Sequence, residues 1–108
     1  MSINPNEIYE KLIITGNEWS DANAAADLLE ETKKTLVSQL MTKSSCSSRA
    51  AAETEALASI AYKEHVYSMV EARRVANKAR VRYDSAKVYS ELLRTQAATE
   101  RAANRNAI

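Results

Sequence analysis

Phenylalanine is absent from this chain, and glycine, proline, cysteine, histidine and tryptophan occur once each, as Gly16, Pro5, Cys46, His65 and Trp19. A single glycine excludes phosphate loops and dinucleotide fingerprints, which need several glycines for close backbone approach. No Asn-Gly or Asp-Gly pair is present to close a hairpin, which argues against extended sheet. One cysteine allows neither an intrachain disulfide framework nor a cysteine-rich zinc site, and it fits a reducing compartment. No apolar run approaches the roughly 20 residues that cross a bilayer. The opening Met-Ser-Ile-Asn-Pro lacks the basic and apolar segments of a secretory signal. A soluble, cytoplasmic protein with no membrane partner is expected.

What remains is rich in Ala, Glu, Lys, Arg and Leu, the composition of an all-α protein. At 108 residues the chain is expected to form one helical domain, 1–108. The net charge is only +1, but it is unevenly divided. Residues 1–70 hold six Lys/Arg against ten Asp/Glu, and residues 71–108 hold nine against four. Such a division attracts an acidic partner to one end, or lets one half of the chain pack on the other half or on a second copy. The packing explanation is preferred.

Local signals divide the chain into three helices. Asn4 is placed to cap, Pro5 suits the first helical position and Glu7 completes a capping box. Ile8, Leu12 and Ile13 then share a face, and Gly16 is expected to end this helix, at about 5–15, as a left-handed cap. A second helix at about 19–42 carries Ala22, Ala25, Leu29, Leu36 and Leu40 inward, with Trp19 anchoring the joint. Glu30 and Lys34 are spaced as a surface ion pair, and Asp27, Glu30 and Glu31 read as a solvated acidic face. The Ser-rich turn at 43–48 breaks the chain, because short hydroxyl side chains compete with helical backbone. Ser47 or Ser48 then caps a third helix at about 48–104, followed by a frayed 104–108.

The third helix holds the most regular pattern. Arg73, Arg80, Lys87, Arg94 and Arg101 recur every seventh position, which keeps them on one side. A stripe of Ala72, Ala76, Ala79, Tyr83, Ala86, Leu93 and Ala97 runs beside them, and Val70, Val81, Val88 and Leu92 form a second apolar row. A helix apolar on two sides is usually covered on two sides. A second helix of about 24 residues cannot cover a third of about 55, so either the third helix breaks near 73–78 and folds back or a second subunit covers it. The subunit is preferred, because no Gly, Pro or turn cluster marks a break. The expected interface is Ala76, Ala79, Tyr83, Ala86, Leu93 and Ala97. The fold expectation is therefore a short helix followed by a hairpin with a very long third helix, assembled into an oligomeric helical bundle or coiled coil.

Chemistry has little to work with. His65 has Ala61 and Met69 on its face, with no orienting partner or pocket indicated for a general base. The carboxylates include no Glu-x-x-His pair for a helical di-metal site, and nothing marks Cys46 as an activated thiol. No catalytic residue, metal or cofactor is expected. The basic row has two readings. As a phosphate track it would give salt-sensitive, sequence-independent nucleic-acid binding. As a surface ladder it pairs internally through Arg80–Asp84, Asp84–Lys87, Lys87–Glu91 and Glu91–Arg94.

Two stretches add a resemblance. Glu-Trp-Ser-Asp-Ala-Asn-Ala-Ala-Ala-Asp-Leu-Leu-Glu-Glu-Thr-Lys-Lys-Thr-Leu (18–36) is the first. Ala-Arg-Val-Arg-Tyr-Asp-Ser-Ala-Lys-Val-Tyr-Ser-Glu-Leu-Leu-Arg-Thr-Gln-Ala-Ala-Thr-Glu-Arg-Ala (79–102) is the second and more distinctive. Together they resemble small uncharacterised helical proteins encoded by tailed bacteriophages and prophages. The resemblance implies a setting, in which small proteins bind host enzymes or assist replication and recombination, and no residue roles. The resulting expectation is a non-enzymatic accessory protein that self-associates and docks on a phage or host protein. A nucleic-acid-binding accessory role is the alternative.

Overall fold

The computed structural model describes residues 4–106, which form three helices: α1 Pro5–Lys43, α2 Arg49–Leu57 and α3 Ile60–Asn106. The chain is all-helical, as its composition implies, and measures 88 × 19 × 15 Å. α1 and α3 lie antiparallel along most of their lengths, while α2 packs mainly on α1. The two expected amino-terminal caps form, at Asn4 and Ser48. Asn4 Oδ1 accepts from the Asn6 backbone N–H at 2.9 Å ahead of Pro5, and Ser48 Oγ accepts from Ala51 N–H at 3.1 Å ahead of α2.

The helix boundaries differ from the expected ones in two places. The segments expected at 5–15 and 19–42 are one continuous 39-residue helix. Gly16 does not adopt a left-handed conformation; it lies inside α1, facing α3. A Cβ at that position would stand 3.3 Å from Tyr83 Cε1. Glycine is used here for close approach to an aromatic ring rather than for a turn. The span expected as one helix at 48–104 is instead divided at Ala58–Ser59. Ser59 Oγ donates to Ala56 C=O at 2.7 Å and accepts from Tyr62 N–H at 3.1 Å. One hydroxyl thus serves the end of α2 and the start of α3, so the break needs neither glycine nor proline. Asn104 to Asn106 are helical rather than frayed; residues 107–108 of that expectation lie outside the described residues.

These corrections remove the length mismatch. At 1.5 Å per residue α1 spans about 58 Å and the 47-residue α3 about 70 Å, so a single chain covers most of its own long helix. Sheltered positions on α1 run from Ile8 through Leu12, Thr15, Trp19, Ala22 and Ala26 to Leu40 in alternating steps of four and three. On α3 they run from Tyr62 through His65, Met69, Ala72, Ala76 and Ala79 to Leu93 in the same alternation. The most deeply buried of them are small: Ala26, Ala76 and Ala79 are at most 1 % exposed. Small seam residues let helix axes approach closely, near the short end of the usual 8–10 Å range. Thr15 is the exception in polarity, and its hydroxyl is satisfied by donating to Lys11 C=O at 2.7 Å.

Candidate interaction surface

The alanine stripe faces inward within one chain. Ala76, Ala79 and Ala86 are buried in the seam with α1. Tyr83 stacks on Trp19, with ring centroids 5.7 Å apart and planes 22° from parallel. Leu93 and Ala97 line a groove with Pro5, Ile8, Tyr9 and Leu12. Ala97 stays exposed at the edge of that groove, whereas the other five residues expected at an interface between copies are sheltered in the intrachain seam. The physical reason is the unbroken α1, which reaches far enough along α3 to cover them. Trp19 does act as an anchor, but in the middle of a helix rather than at a joint.

The basic row is partly engaged by α1. Arg73 donates through Nη2 to Asp27 at 2.7 Å, through Nε to Glu30 at 3.1 Å, and through Nη1 to Asn23 at 2.8 Å. The hydrogen bond to Asp27, followed by that to Glu30, raises the guanidinium above its ordinary pKa. The acidic cluster is exposed, as expected, and from that surface Asp27 and Glu30 also clasp an arginine; Glu30 bridges to Arg73 rather than forming the expected pair with Lys34. A second bridge, Arg82–Glu18 at 3.7 Å, also joins the acidic first helix to the basic third one.

Of the expected intrahelical ladder, Arg80–Asp84 forms at 3.7 Å. Arg80 also lies 6.0 Å from the Trp19 ring and Lys87 5.2 Å from the Tyr83 ring, so both cations are drawn towards the aromatic stack. Arg94 borders the groove at the α1 amino terminus. Arg101 is exposed. The row is therefore not a uniform track: Arg73 is committed to α1, Arg80 and Lys87 lean over the aromatic stack, and Arg94 and Arg101 are exposed beyond it.

His65 Nε2 lies 2.7 Å from Leu29 C=O, a donor position tying α3 to the α1 backbone. Cys46 is exposed, and its thiol donates to Glu55 Oε2 at 2.8 Å beside the Ser44 hydroxyl, which donates to the same oxygen at 2.9 Å. These two donors, the thiol first, lower the Glu55 pKa from its ordinary value. Among the described residues, no group of three or more His, Cys, Asp and Glu side chains is placed to hold a metal ion. Among the described residues, no helix is long and apolar enough to cross a membrane.

What α1 leaves uncovered is the opposite face of α3. Val70, Val81 and Leu92 are 62, 64 and 62 % exposed, and Val88 is 55 % exposed. Val70, Val81 and Leu92 are eleven residues apart, about three helical turns, so they stand nearly in line. Arg74, Asn77 and Ser85 fill the row between them. Shallow depressions flank it, one bordered by Val70, Asn77 and Val81 and the other by Val81, Ser85, Val88 and Leu92. The row itself was visible in the sequence; its freedom from α1 depends on the hairpin register. No protein-family model, curated protein or solved structure matches the chain.

Proposed function

We propose that this protein is a non-enzymatic accessory protein that self-associates through the outer face of α3 and docks on another protein. The phage-type resemblance suggests that this other protein is a phage or host component in the host cytoplasm. The observation that carries the reading is the Val70–Val81–Val88–Leu92 row, left exposed directly opposite the seam with α1. Full burial of an aliphatic side chain stabilises by about 1.5–3 kcal/mol. Two copies of the row, each roughly 60 % exposed, would together contribute about 7–14 kcal/mol on that scale. Association costs about 4–15 kcal/mol in lost freedom. The two are of similar size, so assembly should depend on concentration. The product would be an oligomeric helical bundle with α3 at its centre.

The test is solution mass by light scattering over a concentration series, with and without a short DNA duplex or single strand at low salt. The expected result is a mass that rises to a small oligomer with concentration and ignores nucleic acid. Val81→Lys should return the mass to that of one chain while leaving helix content unchanged. A monomer at every concentration overturns the reading. A nucleoprotein complex that dissolves with salt would instead favour the alternative, with Lys87, Arg94 and Arg101 meeting phosphates.

A further inference from the structure

Resting on that self-association reading, we infer that the occupant of the outer α3 face is a second copy of the same helix, running antiparallel, with the two-fold axis at Val81. The row maps onto itself when its direction is reversed about this residue. Val70 exchanges with Leu92, Arg74 with Val88, and Asn77 with Ser85, while Val81 meets its own counterpart. An isologous contact of this kind needs one patch complementary to itself. Apolar residues then meet at the centre and at both ends. The Arg74 stem lies along Val88 of the second copy, where its aliphatic part can pack while its charge reaches water.

Charge separates this arrangement from its parallel counterpart. Parallel pairing in register sets Arg74 against the same arginine in the middle of the contact, a like-charge juxtaposition, and it aligns the dipoles of two long helices. Antiparallel pairing moves Arg74 off its own counterpart and opposes the two dipoles. At about 100° per residue, Arg80 and Asp84 flank Val81 on the same side of the row. Reversal brings each of them opposite the other's counterpart to within two residues, roughly 3 Å of helix rise. Arg80 already holds Asp84 within its own chain at 3.7 Å. Along the rim of the apolar row the order is then Asp84, Arg80, Arg80, Asp84: the two arginines meet near the axis, and each has an aspartate of the other copy within the same rise on its outer side. Lys78, on the other flank, is set beside Ser85 of the second copy and within two residues of its Arg82, whose charge Glu18 of that copy already meets at 3.7 Å. α1 stays on the far side of each α3, so neither hairpin has to open.

Disulfide trapping decides the direction. In a Cys46→Ser background, Val70→Cys and Leu92→Cys are made separately; both sites are exposed and neither touches the seam. The two positions are 22 residues apart, roughly 33 Å along the helix. Under mild oxidation, each variant alone should remain uncrosslinked, and an equal mixture should give the mixed dimer as the dominant oxidised species. Val81→Cys should crosslink to itself. If Val70→Cys and Leu92→Cys each form their own dimer and the mixture shows no preference, the pairing is parallel and the inference fails, while self-association stands. A dimer by light scattering with no crosslink in any combination places the contact elsewhere and also overturns it. A single-chain mass at all concentrations removes the self-association reading itself.

Discussion

The Tyr83 ring occupies the space that a side chain on Gly16 would need, with Cε1 3.3 Å from the position of a Cβ. Alanine in place of a mid-helix glycine favours the helix by about 1 kcal/mol, but here it must displace a ring stacked on Trp19. Gly16→Ala should therefore change stability little in the parent protein. In a Tyr83→Ala background the same change should stabilise by about 1 kcal/mol. Urea unfolding of the four proteins in the cycle checks this. Strict additivity would show that the ring and the glycine are not coupled.

Ala79 is 1 % exposed at the seam, so Ala79→Leu is expected to destabilise the folded chain by about 1–3 kcal/mol through overpacking. The loss should be seen in thermal unfolding at concentrations where the protein is a single chain. Unchanged unfolding together with an altered oligomer mass would return this alanine to an interface between copies.

Several features of the fold were legible residue by residue. Asn4 with Pro5, the Ser-rich turn and the Ser48 cap announce themselves by local chemistry, and they form as expected. Gly16 and Ser59 did not, because each is decided by what lies beside it. The glycine looks like a helix end until Tyr83 is placed against it, and the serine looks like a helical residue until its hydroxyl is seen serving two helices. One misplaced end then propagated. With α1 cut at Gly16, the second helix is too short to cover the alanine stripe, and the length rule alone then calls for another subunit. The pairing of Arg73 with Asp27 and Glu30 was hidden for a related reason, since it depends on the register between residues more than forty positions apart.

Arg73 makes three charge-assisted or polar contacts to α1 from a half-exposed position. Arg73→Ala should lower stability at low salt, with the difference shrinking as salt screens the clasp. Arg73→Lys should recover only part of it, because an ammonium cannot reproduce the planar fork that reaches Asn23, Asp27 and Glu30 together. Denaturant unfolding at two salt concentrations reads both effects. Full rescue by lysine would reduce the clasp to simple charge attraction.

The Glu55 carboxylate, lowered in pKa by the Cys46 thiol and the Ser44 hydroxyl, ties the turn to α2. A carboxyl group depressed on folding contributes stability that is present above its unfolded pKa and lost as pH falls through its folded one. The turn should therefore loosen in acid, below the ordinary glutamate range. Cys46→Ala should shift the Glu55 midpoint upward, read by side-chain carboxyl resonances in a pH titration. A midpoint indifferent to Cys46 would mean that the thiol does not hold the carboxylate.

A protein only 19 × 15 Å across and 88 Å long has no centre. Its buried residues are small, and each rung of the α1–α3 seam is supported only by the rungs above and below it. Such a molecule behaves as a zipper: it should fray from its ends, and its amide protection should grade inward from both tips towards Ala76 and Ala79 instead of collapsing all at once. Damage at one rung stays near that rung. The hairpin is in that respect a ruler, able to present the Val70 to Leu92 face at fixed spacing even while its tips open and close.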